Sequence, residues 1–176
     1  MESKVEKTLV LFAHPFLEYS VFNAHLISFY QDKENITFRD LYEEYPNFHI
    51  AAFRERKRIK NYDKLIFQFP LIWLGIPPLL NLWLSEVLDM KWLSKQNENP
   101  LAGKKAMIIV SAGGSENSYT KGGMYERSIE DFILPLTKSL ETLGVSVEKT
   151  ICVYAAKQKK IEEVNEIQQE ISKFLS

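Results

Sequence analysis

The chain lacks three features that would narrow its function quickly: clustered cysteines, a strong net charge and a long apolar run. Its single cysteine, Cys152, excludes an internal disulfide framework and a multi-cysteine metal site, and it fits a reducing compartment. The net charge of −1 argues against nucleic acid as the main partner, because affinity for a phosphate backbone rests on clustered positive charge. Nowhere do about 18 apolar residues run together, as a membrane-spanning helix would require.

The start of the chain, MESKVEKTLVLFA, has an apolar core too short for a signal peptide. We therefore expect a soluble, cytoplasmic protein. With 176 residues, of which 45% are hydrophobic, the chain is expected to form one domain over residues 1–176 around a single well-filled core.

Apolar runs alternate with helix-like stretches along the whole chain. The predicted strands are Thr8 to Ala13, Ile36 to Leu41, Lys64 to Phe69, Ala106 to Ser111 and Val145 to Val153. The predicted helices are Val21 to Gln31, Ala51 to Asn61, Pro77 to Leu88, Ser128 to Leu143 and Lys159 to Phe174. This alternation indicates βαβ units, hence an α/β fold with a parallel sheet and right-handed crossovers.

The loop after the third strand is the most informative segment. The strand ends at Pro70, and Pro77 or Pro78 stands where a helix can begin, since proline is tolerated at the first helical position. Between them, Trp73 provides a flat apolar face and Gly75 lets the backbone pass close to a ligand. In open α/β sheets ligands bind outside the carboxyl ends of the strands, so this loop is a candidate binding site.

Two further loops follow strands at the same edge of the predicted sheet. After the first strand, Ser20 and Asn23 open a helix whose N-terminus can hold an anion, and His14 can donate to a phosphate oxygen. The alternative is that Ser20 only caps the helix and His14 is a turn residue, since the glycines of a P-loop are absent.

The loop from Ser111 to Tyr125 contains four of the seven glycines of the chain. Gly113 and Gly114 allow backbone N–H groups to approach a flat ring and to stabilise charge that develops on it. Gly122 and Gly123 could hinge a mobile segment that carries Tyr119 and Tyr125, although a plain turn is the favoured interpretation of this second pair.

The helix from Pro77 to Leu88 is apolar around more than half of its circumference. One sheet face cannot bury all of these side chains, so we expect the outer side of the helix to form a homodimer interface. The alternative is that the loop from Lys91 to Pro100 covers it.

A basic run lies on the second predicted helix and contains Arg54, Arg56, Lys57, Arg58 and Lys60. A solvated helix face is the expected role. The alternatives are contacts with the 2′-phosphate of NADPH, with anionic lipid or with an acidic partner.

The three loops together resemble the flavodoxin-like NAD(P)H quinone oxidoreductases, and within them the ancillary flavoproteins of glutathione-gated potassium-efflux systems. The resemblance covers nearly the whole chain, and its most specific segment is FPLIWLGIPPLLNLWLSEVL, supported by AHPFLEYSVFN, DLYEEYPNFHI and NPLAGKKAMIIVSAGGSE. It implies a flavodoxin-like sheet of five parallel strands in the order 2-1-3-4-5, with helices on both faces.

The resemblance also implies which residues bind the flavin. The phosphate and ribityl contacts would come from His14, Ser20, Val21, Phe22 and Asn23. The edge of the isoalloxazine ring would lie along Pro70, Leu71, Ile72, Trp73 and Leu74, and its pyrimidine side along Ser111, Ala112, Gly113 and Gly114.

The candidate catalytic residues are Tyr119, which stands where many members of the family have a tyrosine, and Tyr125, which replaces a histidine found in some of them. The family pattern differs again around Trp92, where Lys91 and Leu93 replace a common glycine and alanine. FMN is the expected cofactor with FAD as the alternative, and NADH or NADPH is the expected co-substrate.

The leading functional hypothesis is a homodimeric reductase that transfers a hydride from NAD(P)H through flavin to a quinone or a similar acceptor. The competing hypothesis is a flavin-binding regulatory subunit of a potassium-efflux transporter, at the inner face of the membrane. A one-electron carrier is disfavoured because such carriers are usually strongly acidic. A phosphorylated receiver domain is disfavoured because the third strand does not end in aspartate.

Overall fold

The computed structural model describes residues 5–176, which contain a sheet of five parallel strands. The strands are β1 (Thr8–Phe12), β2 (Ile36–Asp40), β3 (Lys64–Pro70), β4 (Lys105–Ser111) and β5 (Ser146–Val153). Their order is β2-β1-β3-β4-β5, with every neighbouring pair parallel. The predicted fold class and strand order are confirmed.

Helices connect successive strands, as the alternation predicted, and a last helix follows β5. They are α1 (Val21–Gln31), α2 (Leu41–Glu44), α3 (Ala52–Ile59), α4 (Pro78–Val87), α5 (Met90–Leu93), α6 (Ile129–Thr142) and α7 (Ile161–Leu175). The short helices α2 and α5 were not predicted, because a four-residue helix has no measurable apolar period. Pro78 is the first residue of α4, and Gly144 has a positive φ of 88° directly after α6, as expected for a glycine that ends a helix.

The central strands are mostly apolar and almost fully buried because helices cover both faces of the sheet. All five residues of β1 are buried, as are six of seven in β3 and in β4. Helices α1 and α7 pack on one face through Phe22, Leu26, Val164 and Ile171. Helices α3, α4 and α6 cover the other face.

The described part of the amino-terminal segment leads directly into the sheet. The apolar residues after the charged start form β1, while Met1 to Lys4 lie outside the described residues. Among the described residues, no helix combines the length and the apolar character needed to cross a membrane.

A buried carboxylate joins α3 to its neighbours. Glu55 is 1% exposed and accepts hydrogen bonds from the Tyr45 hydroxyl at 2.8 Å and from the indole Nε1–H of Trp83 at 3.0 Å. Arg58 pairs with the same carboxylate. Buried carboxylates are tolerated when they are paired and hydrogen-bonded, so this network ties α3 to α4 and to the segment after α2.

The expectation that the basic run is a solvated helix face is therefore wrong for part of it. Arg56 donates to the carbonyl oxygens of Val87 and Glu86 at 3.1 and 2.6 Å, and its guanidinium lies 5.4 Å from the ring centroid of Trp92. Together with Arg58, it is used to hold helices together. Arg54 and Lys57 remain exposed.

We expect Glu55→Ala to lower the free energy of unfolding by roughly 3 kcal/mol, because the Trp83 N–H and the Tyr45 hydroxyl lose their buried acceptor. Denaturant unfolding monitored by tryptophan fluorescence measures this loss. Arg54→Ala, an exposed change on the same helix, is the control and should leave stability within about 0.5 kcal/mol. Equal stability of Glu55→Ala and the wild type would contradict a structural role for the carboxylate.

Candidate functional site

A cleft of about 290 Å³ opens at the carboxyl ends of β1, β3, β4 and β5. Eight of the residues predicted to bind a cofactor line it: His14, Ser20, Pro70, Leu71, Ile72, Ser111, Ala112 and Gly113. The other lining residues are Phe16, Tyr19, Ala156 and Lys157. The structure therefore brings together the three predicted loops and adds a fourth, after β5.

The first loop forms a capped helix start with free donors. Ser20 is the N-cap of α1, and its hydroxyl accepts from the backbone N–H of Asn23 at 3.4 Å. The N–H groups of Val21 and Phe22 donate to no acceptor within residues 5–176. Two donors at a helix N-terminus favour an anion, so capping by Ser20 and anion binding are compatible here.

His14 lies at the inner end of this loop and is neutral. The backbone N–H of Phe16 donates to its Nδ1 at 3.2 Å, so the ring proton is on Nε2. Burial lowers the pKa of His14 below its usual value, and the nearby carboxylate of Glu18 opposes that change. The residue is a neutral donor to the cleft.

The side chain of Asn23 forms its hydrogen bonds with other protein groups, whereas we expected it to donate to a ligand. It is 1% exposed and donates from Nδ2 to Ser20 Oγ at 2.8 Å. Its Oδ1 accepts from Nε2 of Gln68 at 2.7 Å, and Oε1 of Gln68 accepts from the Tyr30 hydroxyl at 2.7 Å. Burial raises the pKa of Tyr30, which keeps this phenol a donor. Asn23 thus positions the start of α1 against β3.

Phe22 and Val21 would also act through their backbone alone. The side chain of Phe22 is buried in the core beneath α1, and that of Val21 is 66% exposed without lining the cleft.

The second loop is a tight turn with unusual backbone angles. Ile72 and Gly75 exchange two backbone hydrogen bonds of 2.9 Å. Between them, Trp73 and Leu74 have φ of 47° and 61°, so both are left-handed. This arrangement is normally made with Asn and Gly, and it strains other residues by roughly 1–3 kcal/mol each. The turn holds the indole of Trp73 98% exposed beside the cleft, although Trp73 and Leu74 do not line it.

The third loop is attached to the fourth by backbone hydrogen bonds. The N–H groups of Ala155 and Ala156 donate to the carbonyl oxygens of Gly114 and Ala112 at 2.8 and 3.0 Å. The N–H groups of Gly113 and Gly114 find no acceptor within the described chain. A Cβ added to Gly113 would meet nothing within 4 Å, so the absent side chain leaves space open to the cleft.

Tyr119 and Tyr125 pack against each other behind the glycine loop, with ring centroids 4.8 Å apart and ring planes tilted by 36°. Tyr119 is 6% exposed, and neither residue lines the cleft. A Cβ on Gly114 would be 3.1 Å from Cε2 of Tyr119 and 3.5 Å from its hydroxyl, so this phenol supports the glycine loop from below. Burial, together with the neighbouring Tyr125, raises the pKa of Tyr119 and keeps it protonated.

Backbone geometry accounts for the second glycine pair. Gly122 has a φ of 86°, which favours glycine, and a Cβ on Gly123 would be only 2.1 Å from the carbonyl oxygen of Asn117. A plain turn explains both residues without a hinge.

A fourth loop, which was not predicted from the sequence, contributes Ala156 and Lys157 to the cleft. The available signal was that β5 ends at the same edge as β4, so its loop falls under the same rule for ligand sites. Phe16 and Tyr19 lie within the predicted phosphate loop, but neither side chain carries a charge that would mark it as a ligand contact.

A family profile described as the flavodoxin-like fold matches residues 6–175. The chain belongs to this family. It is 35% identical to an uncharacterized NAD(P)H oxidoreductase of Bacillus subtilis, over 79% of this chain and 80% of that protein. It is 33% identical to KefG of Serratia proteamaculans, an ancillary protein of a glutathione-regulated potassium-efflux system, over 91% and 87%.

Among solved structures, general stress protein 14 of Treponema denticola in complex with FMN is similar, with a TM-score of 0.83 and 28% identity. The match covers 96% of this chain and 97% of that one. The resemblance inferred from the loop motifs is thereby confirmed at the level of the family.

We expect Trp73→Gly to raise the free energy of unfolding by roughly 0.5–1 kcal/mol, because glycine adopts a positive φ without strain and the exposed indole buries little area. Trp73→Ala keeps the strained angle and should leave stability nearly unchanged. Denaturant unfolding of the two variants tests this difference. A Trp73→Gly protein less stable than the wild type would show that the turn is not strained.

Proposed function

We propose that this protein is a flavin-dependent NAD(P)H:quinone oxidoreductase that uses FMN. The observation that carries the proposal is the set of backbone N–H groups without an acceptor in the described chain, on two loops around one cleft, at Val21 and Phe22 and at Gly113 and Gly114. The relatives named as NAD(P)H oxidoreductases and the FMN complex of the similar structure support the same assignment.

The residues around the cleft fit FMN group by group. The N–H groups of Val21 and Phe22, the Ser20 hydroxyl and the Nε2–H of His14 suit a phosphate and its ribityl chain. Ile72 and the exposed Trp73 suit the edge of the ring. The bare backbone at Gly113 suits close approach of a flat ring, with its N–H and that of Gly114 facing the polar side. FAD is the alternative cofactor, and mass spectrometry of the released cofactor would distinguish it from FMN.

The bound flavin would supply the redox chemistry, accepting a hydride from NADH or NADPH and passing it to a quinone. The residues of the chain would bind the flavin, orient it and shield it from solvent. Among the described residues that line the cleft, only His14 has a side chain that ordinarily titrates near neutral pH, and its ring is neutral. Tyr119 stays protonated at neutral pH and would support the loop that contacts the ring, with Tyr125 packed against it.

A second candidate is a flavin-binding regulatory subunit of a membrane transporter. The relatives named as ancillary proteins of a potassium-efflux system favour it. We propose a cytoplasmic protein in both cases, at the inner face of the membrane in the second. Robust quinone reduction by the isolated protein favours the enzyme, whereas co-purification with a transporter and weak turnover favour the subunit.

We also propose a homodimer formed through α4 and α6. Leu79, Leu80, Trp83 and Val87 face the core. Leu84 and Leu88 instead line an open groove with Leu136 of α6 and Leu143, which directly follows α6. The loop after α4 does contribute Trp92 and Leu93 to the core, but the groove of about 260 Å³ remains uncovered by the described chain. Ile76, next to the Trp73 turn, also lines it, so a second copy here would lie close to the cleft.

We expect Gly113→Val to lower FMN occupancy and quinone reduction at least tenfold, since a branched side chain would fill the space proposed for the ring. The fold should persist, because an added Cβ meets no protein atom within 4 Å. Flavin absorbance of the purified protein and NADH- and NADPH-dependent quinone reduction are the measurements. Gly113→Ala is the intermediate case, and a Gly113→Val protein that stays yellow and active would rule out this assignment.

Ser139→Arg should convert the dimer to monomer at micromolar concentration, because Ser139 is exposed on α6 and lines the groove. A buried charge without a partner opposes association. Sedimentation velocity measures the change, with Ser172→Arg as the control, an exposed serine on α7 at the other face of the sheet. A monomeric wild type would exclude the proposed interface.

A further inference from the structure

The charge of the cleft is concentrated in one residue that none of the predicted loops contains. Of the described residues that line the cleft, Lys157 alone carries a formal charge at neutral pH. The donors of the first loop are all neutral: the Ser20 hydroxyl, the Nε2–H of His14 and the N–H groups of Val21 and Phe22. A phosphate with about two negative charges would therefore find a single cationic side chain here.

The backbone of Lys157 is held in place. Lys157 belongs to the 3₁₀ turn Ala156–Gln158. Ala155, directly before this turn, has a left-handed φ of 47°. The hydrogen bonds from Ala155 and Ala156 to Gly114 and Ala112 attach this turn to the glycine loop. The same turn packs against α1, with Ala156 against the core that contains Phe22. Lys157 therefore lies on the α1 side of the cleft, where the free helix amides are.

No acidic group within the described chain neutralises this lysine. Lys159, two residues on, pairs with Glu163 at 2.7 Å. Lys157 forms no ion pair with any residue from 5 to 176, and its side chain is exposed at the cleft. Lys157 therefore has no partner within the described chain, and its turn is held by backbone hydrogen bonds beside neutral groups that could donate to a phosphate. It is available to an anionic ligand.

We propose that Lys157 is a specificity residue that selects a phosphorylated flavin over an unphosphorylated one by pairing with its phosphate. This inference rests on the proposed function. It adds that the charge recognising the phosphate comes from the loop after β5, while the loop after β1 supplies neutral hydrogen bonds.

The test compares FMN and riboflavin, which share the ring and differ by the phosphate. Apoprotein is titrated with each by fluorescence quenching at low salt. Lys157→Gln should weaken FMN binding by about three- to fivefold and leave riboflavin binding within about twofold, as expected for loss of one solvent-exposed ion pair. Lys157→Arg should retain the preference for FMN. Added salt should weaken FMN binding less in Lys157→Gln than in the wild type.

Lys160→Gln is the matched control, because it removes the same charge from an exposed position of the same segment that does not line the cleft. It should leave both affinities unchanged. Unchanged FMN affinity in Lys157→Gln, equal loss for FMN and riboflavin, or an equal effect of Lys160→Gln would each overturn the role of Lys157 while leaving flavin binding intact. A wild-type protein that binds neither flavin would instead refute the proposed function itself.

Discussion

The geometry of the site depends on Gln68, a buried polar residue in the middle of the sheet. Its backbone carbonyl accepts from Ala13 at 3.0 Å, and its side chain joins the Tyr30 hydroxyl to Asn23. Asn23 in turn holds Ser20, the N-cap of α1. A buried amide must satisfy its donors and acceptors inside the protein, so β3 determines where the first loop and its free amides lie.

The loops at this edge are held firmly although they leave hydrogen-bonding groups free. The Trp73 turn closes with two backbone hydrogen bonds despite two left-handed residues, and the turn before α7 is bonded to the glycine loop. Unpaired amides and positive φ angles both lower stability when nothing compensates for them. Their concentration around one cleft is what a preformed ligand site requires, and the well-filled core on both sheet faces supports it.

The sequence predicted those parts of the site that depend on short-range chemistry. Apolar runs that stop at His14, Pro70 and Ala112 indicated where β1, β3 and β4 end. Each strand end predicted a loop, and each of these loops reaches the cleft. It did not predict that Asn23 turns inward or that Arg56 and Arg58 serve packing. Those roles follow from Gln68 and Glu55, whose buried positions become visible only when strands and helices distant in sequence are brought together.

By itself, the sequence determined the class of the fold, the order of its elements and the loops that could bind a ligand, because apolar period, proline and glycine act on a few neighbouring residues. The tertiary structure decided which groups face one another. It placed the turn after β5 beside the glycine loop and α1, so that Lys157 joins a cleft whose other donors are neutral. It also left the groove between α4 and α6 open, since that depends on how two helices distant in the chain meet on one sheet face.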